Sequence, residues 1–179
     1  MSRKHLGLGA IGVVLAGVAF AGARADEGYE ATHRDWDVIC SICALEGEQL
    51  CIMQTNAATK IGDHGLSLLF HLNPGTRPTL ALDVPAPGPE PLRFAVDKEE
   101  PVVLVPPDIA LGYAARLVLQ SDAMTDTLIA AFRRGSAVTV TFSDDNFEKQ
   151  SASFSLKGFG AALDAMVAHL PANPRTCAD

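Results

Sequence analysis

The chain has 179 residues, 48% of them hydrophobic, with 14 Lys and Arg against 21 Asp and Glu and a net charge of −7 at pH 7. That length and apolar content suit a single domain with a buried core. The acidic balance argues against nucleic-acid and anionic-lipid partners, because both are polyanions.

The N-terminus carries Arg3 and Lys4, an apolar run from Leu6 to Gly22, then Ala23-Arg24-Ala25 ahead of Asp26-Glu27. A basic start, a short apolar stretch and a small-x-small site form the pattern of a secretory signal peptide over residues 1–25, cut between Ala25 and Asp26. The run contains Gly7, Gly9, Gly12, Gly17 and Gly22 and is short for a membrane span, which needs roughly 20 apolar residues. No span is therefore expected after cleavage, and no Cys lies near the cut to carry a lipid. The mature chain of 154 residues keeps 11 basic and 21 acidic side chains, and the reading predicts a periplasmic or secreted protein.

Residues 26–35 read as a polar N-terminal arm. The segment from Trp36 to Gln54 holds the only Trp and three of the four Cys. Trp36, Val38 and Cys40 share one face of an extended reading. Glu46-Gly47-Glu48 offers a reversal, and Leu50-Cys51-Ile52-Met53 returns, so the segment predicts a β-hairpin with a disulfide across its arms. Gly65 to Leu72 is an apolar strand closed by the turn signal Asn73-Pro74-Gly75. Thr79–Val84 and Leu92–Val96 alternate as half-buried strands do, with a Pro-rich loop over 85–91 between them. Pro101–Val105 is β-branched and stops at Pro106-Pro107. A further strand is expected within Tyr113–Gln120.

Ser121 and Asp122 can cap a helix from Ala123 to Arg134, with Met124, Thr127, Leu128, Ala131 and Phe132 at helical spacing and Gly135 at its end. Ala137–Phe142 and Gln150–Leu156 are strands joined by a turn at Ser143–Asn146. Gly158 to His169 is a second amphipathic helix, with Phe159, Ala162, Leu163, Met166 and Val167 on its apolar side. Residues 170–179 form a tail containing Cys177. About eight short strands in succession with two helices predict a mainly β (α+β) domain over 36–169, an antiparallel β-sandwich-like fold with the helices packed at one side. An outer-membrane barrel fits less well, since two helices have no place in its wall and few Trp and Tyr are available for its girdles.

All four Cys, at 40, 43, 51 and 177, lie beyond the leader. An even count in an exported chain predicts disulfides, and four Cys allow three pairings. Cys40-Ser-Ile-Cys43 has the C-x-x-C spacing of thiol oxidoreductases. Those enzymes set the first Cys at a helix N-terminus, whereas this motif sits in an apolar β-like run, so structural bridges are the preferred account. His33, His64, His71 and His169 form none of the usual ligand spacings, and neither metal nor cofactor is expected. The serines lack a G-x-S-x-G setting, and Asp144-Asp145-Asn146-Phe147 breaks the alternation of a calcium loop. No catalytic residue is expected.

Trp36-x-x-x-Cys40 with Cys51, the helix end Leu128–Gly135, the strand Val138–Phe142 and the closing Ser155-Leu156-x-Gly158-Phe159 with Ala162-Leu163 resemble the invasion-associated locus B family of bacterial exported proteins. The likeness runs from about Arg34 to Val167. The resemblance implies a periplasmic or surface-associated protein, in a family named for a link to host-cell entry, with no established catalytic residues to carry over. It also pairs Cys40 with Cys51. Cys43 then falls to Cys177, a pairing in keeping with Cys40 and Cys43 pointing to opposite faces of a strand. Many family members hold a second Cys pair in mid-domain, whereas this chain has no Cys between Ile52 and Thr176. The expected function is a non-enzymatic binding or envelope/host-interaction module with an envelope or extracellular protein as partner. A thiol-disulfide oxidoreductase using Cys40 and Cys43, or a cell-envelope assembly factor, is the alternative.

Overall fold

A computed structural model of the chain describes residues 28–41, 50–58, 60–61, 65–84, 88, 90–112, 116–144 and 146–170. Where apolar and polar residues alternate, the chain is extended and hides one side. Trp36, Val38 and Cys40 are buried along β2 (Trp36–Ser41), and Cys51, Met53 and Thr55 along β3 (Leu50–Asn56). The central strands β4 (Ser67–Leu72) and β5 (Thr79–Asp83) are instead covered on both faces in their middles, with Leu68, Leu69 and Phe70 and Leu80, Ala81 and Leu82 all buried. These strands, with β1 (Tyr29–His33), β8 (Ile109–Leu111) and β9 (Arg116–Leu119), form a seven-stranded sheet in the order β1-β2-β3-β4-β5-β9-β8. A four-stranded sheet faces it, in the order β11-β10-β6-β7, from β6 (Leu92–Val96), β7 (Val102–Leu104), β10 (Ala137–Ser143) and β11 (Lys149–Ser155). Every strand pairing is antiparallel. The expected sandwich is therefore the observed one.

Helix α1 (Asp122–Arg134) starts where the Ser121 hydroxyl accepts the Met124 N–H at 3.4 Å. Asp122 in the first turn and Arg133 and Arg134 in the last suit the helix dipole. Helix α2 (Phe159–His169) lies across the inner face of β1, β2 and β3 and touches α1. Arg133 of α1 donates to the Asp164 carboxylate of α2 at 2.6 Å and holds its pKa below the usual carboxylate value. Phe70 of the large sheet, Phe94 of the small sheet, Phe132 of α1, Phe159 of α2 and Trp36 meet with ring centroids 5.1–6.5 Å apart. These edge-on and tilted contacts join both sheets and both helices in one core.

Two stretches far apart in sequence form a single junction. The Trp36 indole N–H donates to the Ser155 carbonyl at 3.0 Å, and the Ser155 hydroxyl donates to the Asp35 carboxylate at 2.5 Å. The Asp35 N–H reaches the Lys157 carbonyl at 3.3 Å. Phe159 then packs edge-on against the Trp36 ring at 5.1 Å. Gly158, at φ +93°, presses its α-carbon against the His33 carbonyl oxygen, on which an added Cβ would land. Burying the Trp36 ring alone stabilises by on the order of 4–6 kcal/mol by area, and the Ser155 carbonyl satisfies its one polar atom.

Four expectations change. Residues 29–33, read as part of a loose arm, form β1 against β2, with Tyr29, Ala31 and His33 half-buried on alternate positions. The stretch is polar, but it alternates and carries β-forming Tyr and Thr. Strand β8 was not foreseen, and the described residues hold eleven strands. On α1 the buried residue is Thr125, while Thr127 is exposed and donates to the Ala123 carbonyl at 2.8 Å. On α2, Val167 is 55% exposed and Phe159, Ala162, Leu163 and Met166 make the buried stripe. Gly135 does end α1, but at φ −82°. It is required there because a Cβ would meet the Val96 and Leu156 side chains.

Candidate binding cleft

Cys40 and Cys51, the two described cysteines, form a bridge between neighbouring strands. Cys40 and Cys51 are direct partners in the β2–β3 register, 4.0 Å apart at Cα, and their sulfurs are joined. Both are buried in the core, and no described cysteine is free. Cys40 is thus linked across the hairpin and not to Cys43, as the family resemblance implies. Cys43, Cys177 and the cleavage pair Ala25 and Asp26 lie outside the described residues, as does the turn between β2 and β3. Among the described residues no group of three or more His, Cys, Asp or Glu is placed to hold a metal. No helix among them is long and apolar enough to cross a membrane.

Three places on the surface gather functional groups. The first is the outer face of the large sheet, where Arg116 of β9 grips the Asp83 carboxylate at 2.6 and 3.0 Å and reaches His71 Nε2 at 3.4 Å. Burial lowers the His71 pKa from 6.5, the Arg116 charge lowers it further, and Asp83 opposes both. Ser67, four residues along the same strand, donates to the Asn56 side-chain oxygen at 2.7 Å. The second is an open polar groove of about 410 Å³ bordered by Arg34, Asp35, Asp37, Asn56, Ser153 and Ser155. Its Asp35 and Ser155 belong to the junction already described, and Asp37 accepts the Thr32 hydroxyl at 2.8 Å.

The third is apolar. Pro106 and Pro107 lack the amide donors needed to prolong β7. The chain turns through a 3-10 segment at Pro106–Asp108 and enters the other sheet as β8. The two sheets part there, leaving a cleft of about 210 Å³ lined by Glu90, Leu92, Ile109, Leu111, Leu117 and Phe142. Its floor is the packed contact of Leu80, Leu82, Leu104 and Leu119.

Register places three exposed apolar side chains at this same end. Leu92 faces Leu104, so Val105 follows at this end of the small sheet and turns to the face opposite Leu104. Arg93 faces Thr141, so the β10–β11 turn also lies there. Val105 is 43% exposed, Leu111 67% and Phe147, in that turn, 66%. They are three of the five large apolar side chains exposed among the described residues. Phe147 sits at φ +62°, a backbone region that costs a bulky residue on the order of 1 kcal/mol or more. Asp144 holds the turn. Its carboxylate accepts the Asn146 and Glu148 amides at 3.0 and 2.9 Å and the Gln150 side-chain amide at 3.0 Å. That Gln150 bond is the main reason its pKa lies below the usual carboxylate value. The cleft was not foreseen, because Leu92, Leu117 and Phe142 fall in expected strands, Glu90 in the Pro-rich loop, and the β8 residues Ile109 and Leu111 in a stretch assigned no element. The one sequence signal was the Pro106-Pro107 stop.

A two-layer antiparallel domain with a bridged hairpin, two helices in its core and an apolar mouth between its sheets defines an all-antiparallel α+β sandwich. The chain belongs to the invasion associated locus B (IalB) protein family, which matches it over residues 36–167. The crystal structure of invasion associated protein B from Bartonella henselae has the same fold, with a TM-score of 0.58 at 19% identity, covering 78% of this chain and 95% of that one. No curated protein matches the chain.

Proposed function

We propose that the protein is an exported, non-enzymatic binding module of the cell envelope or cell surface, and that it takes its ligand in the cleft between the two sheets. The leader-like residues 1–25 and the Cys40–Cys51 bridge support an oxidising, extracytoplasmic location. The observation that carries the binding role is the apolar cleft between the sheets, lined by Leu92, Ile109, Leu111, Leu117 and Phe142, with Leu111 67% exposed at its mouth. Apolar side chains gathered around one concavity are a mark of an interaction site, and a strained, exposed aromatic in a tightly bonded turn adds to it. Titration with an apolar fluorescent dye tests this reading. The native chain should bind one dye molecule, and Leu111→Glu, at a site 67% exposed, should weaken binding at least about tenfold with little change in melting. Dye binding that Leu111→Glu leaves intact would overturn the assignment.

A further inference from the structure

The cleft lies beside a strand edge whose hydrogen-bonding groups are set by register. β8 is the last strand of its sheet, with Ile109 opposite Leu119, Ala110 opposite Val118 and Leu111 opposite Leu117. The Asp108 carbonyl accepts the Gln120 N–H at 2.7 Å, and the Gly112 N–H donates to the Arg116 carbonyl at 2.6 Å. Residues 108, 110 and 112 therefore direct their main-chain groups to β9, and residues 109 and 111 direct theirs away, as the antiparallel alternation requires. The Ile109 N–H is bonded to the Pro106 carbonyl. Among the described residues, the edge thus presents the Ile109 carbonyl and both the N–H and the carbonyl of Leu111 with no strand beside them.

We propose that this edge and the cleft together bind an extended segment of a partner protein by antiparallel strand addition, with two large aliphatic side chains at i and i+2 and a basic residue beside them. The proposal rests on the reading of the cleft as the ligand site. A partner residue opposite Leu111 exchanges two main-chain hydrogen bonds with it, and the residue opposite Ile109 donates to the Ile109 carbonyl. Directly opposed residues point to the same face, so both partner side chains lie on the cleft side with Ile109 and Leu111. A volume of about 210 Å³ holds about seven heavy atoms at roughly 30 Å³ each, enough for one leucine side chain and most of a second.

Charge selects among apolar ligands. Among the described residues, Glu90 is the one ionisable side chain lining the cleft, Asp108 lies at the foot of β8, and the whole chain carries −7. Arg93 and Lys149 point to the outer face of the small sheet, where they border with Glu90 and Phe142 a neighbouring hollow, and neither lines the cleft itself. A cationic peptide is complementary to this mouth, whereas a fatty-acid carboxylate meets Glu90.

Calorimetric titration of the full chain with acetyl-Lys-Leu-Thr-Leu-Lys-amide tests the proposal, alongside the same peptide N-methylated at both leucines, a version with both lysines replaced by glutamate, and octanoate. The parent peptide should bind. N-methylation removes two ladder donors and keeps both side chains, and it should weaken binding at least about tenfold, as should the glutamate version. Leu111→Pro, which removes an outward N–H at an edge where proline is tolerated, should do the same. Should that variant fail to fold, the N-methylated peptide decides alone. Equal binding of parent and N-methylated peptides would overturn strand addition while leaving the cleft as a ligand site. Octanoate binding without peptide binding would assign the cleft to a lipid chain and overturn the peptide. Failure of every probe, the dye included, would remove the cleft reading itself.

Discussion

Replacing Gly158 by alanine strikes the one point where β1, the β1–β2 turn and α2 meet. Two costs add. Gly158 adopts φ +93°, and a left-handed backbone costs an L-residue roughly 1–2 kcal/mol. The new Cβ would also fall on the His33 carbonyl oxygen and crowd the His33 carbonyl carbon at 2.8 Å and the Arg34 Cβ at 3.1 Å. The obstacle is backbone, so it cannot yield by a rotamer change, and separating it from α2 would loosen the Trp36–Phe159 contact and the Asp35–Lys157 bond. Overpacking of that kind costs about 1–3 kcal/mol. The sum, about 2–5 kcal/mol, is a large part of a typical domain stability of about 5–15 kcal/mol. A chain of this size loses roughly 2–4 °C of melting temperature per kcal/mol, so Gly158→Ala should melt about 4–20 °C lower by far-ultraviolet circular dichroism. Gly158→Asn separates the two costs. Asparagine tolerates positive φ but keeps the Cβ, so it should recover only a minor share of the loss. Wild-type melting of the alanine variant would refute the close approach, and full recovery with asparagine would show that φ alone governs the site.

Replacing Cys40 and Cys51 together by alanine opens a bridge with a sequence separation of 11 and should cost about 3 kcal/mol on the chain-entropy account. Non-reducing peptide mapping of the native chain should return Cys40 with Cys51 and Cys43 with Cys177, and an unchanged melt of the double variant would show that the bridge adds nothing to stability. Stability should also fall with pH below about 6.5 through His71. Burial first and Arg116 second hold its folded-state pKa under the unfolded 6.5. The unfolded chain therefore takes up the proton at the higher pH, and the contribution is complete above 6.5 and lost as the pH drops through the interval below it. His71→Gln should flatten that part of the profile, and an unaltered slope would assign it to another group.

The fold was legible where one face of an element is fully covered. Trp36, Val38 and Cys40 alternate and are buried as read. Ser121 caps α1, and the β10–β11 hairpin turns where Ser143–Asn146 signals it. Even the motif Ser155-Leu156-x-Gly158-Phe159 was visible as a pattern, although only the fold gives its reason: the Ser155 carbonyl holds the Trp36 indole, and Gly158 makes room for β1. The misread residues lie at borders. On α2 Val167 sits about 90° round the helix from the middle of the buried stripe, where a small shift in packing decides between core and water. Thr125 and Thr127 are alike in composition and two positions apart, and the exposed one lies on the far side of the same helix. The cleft fails to announce itself for a deeper reason. Leu111 carries the same apolar side chain as Leu117, its register partner, and faces the same way, yet it is 67% exposed. Periodicity states which side chains turn to one side of a sheet. Whether the opposing layer extends far enough to cover them depends on where another strand stops, here β7 at Leu104 before Pro106-Pro107. A binding mouth of this kind is written in the mismatch of two strand lengths, and it becomes visible only when both strands are in place.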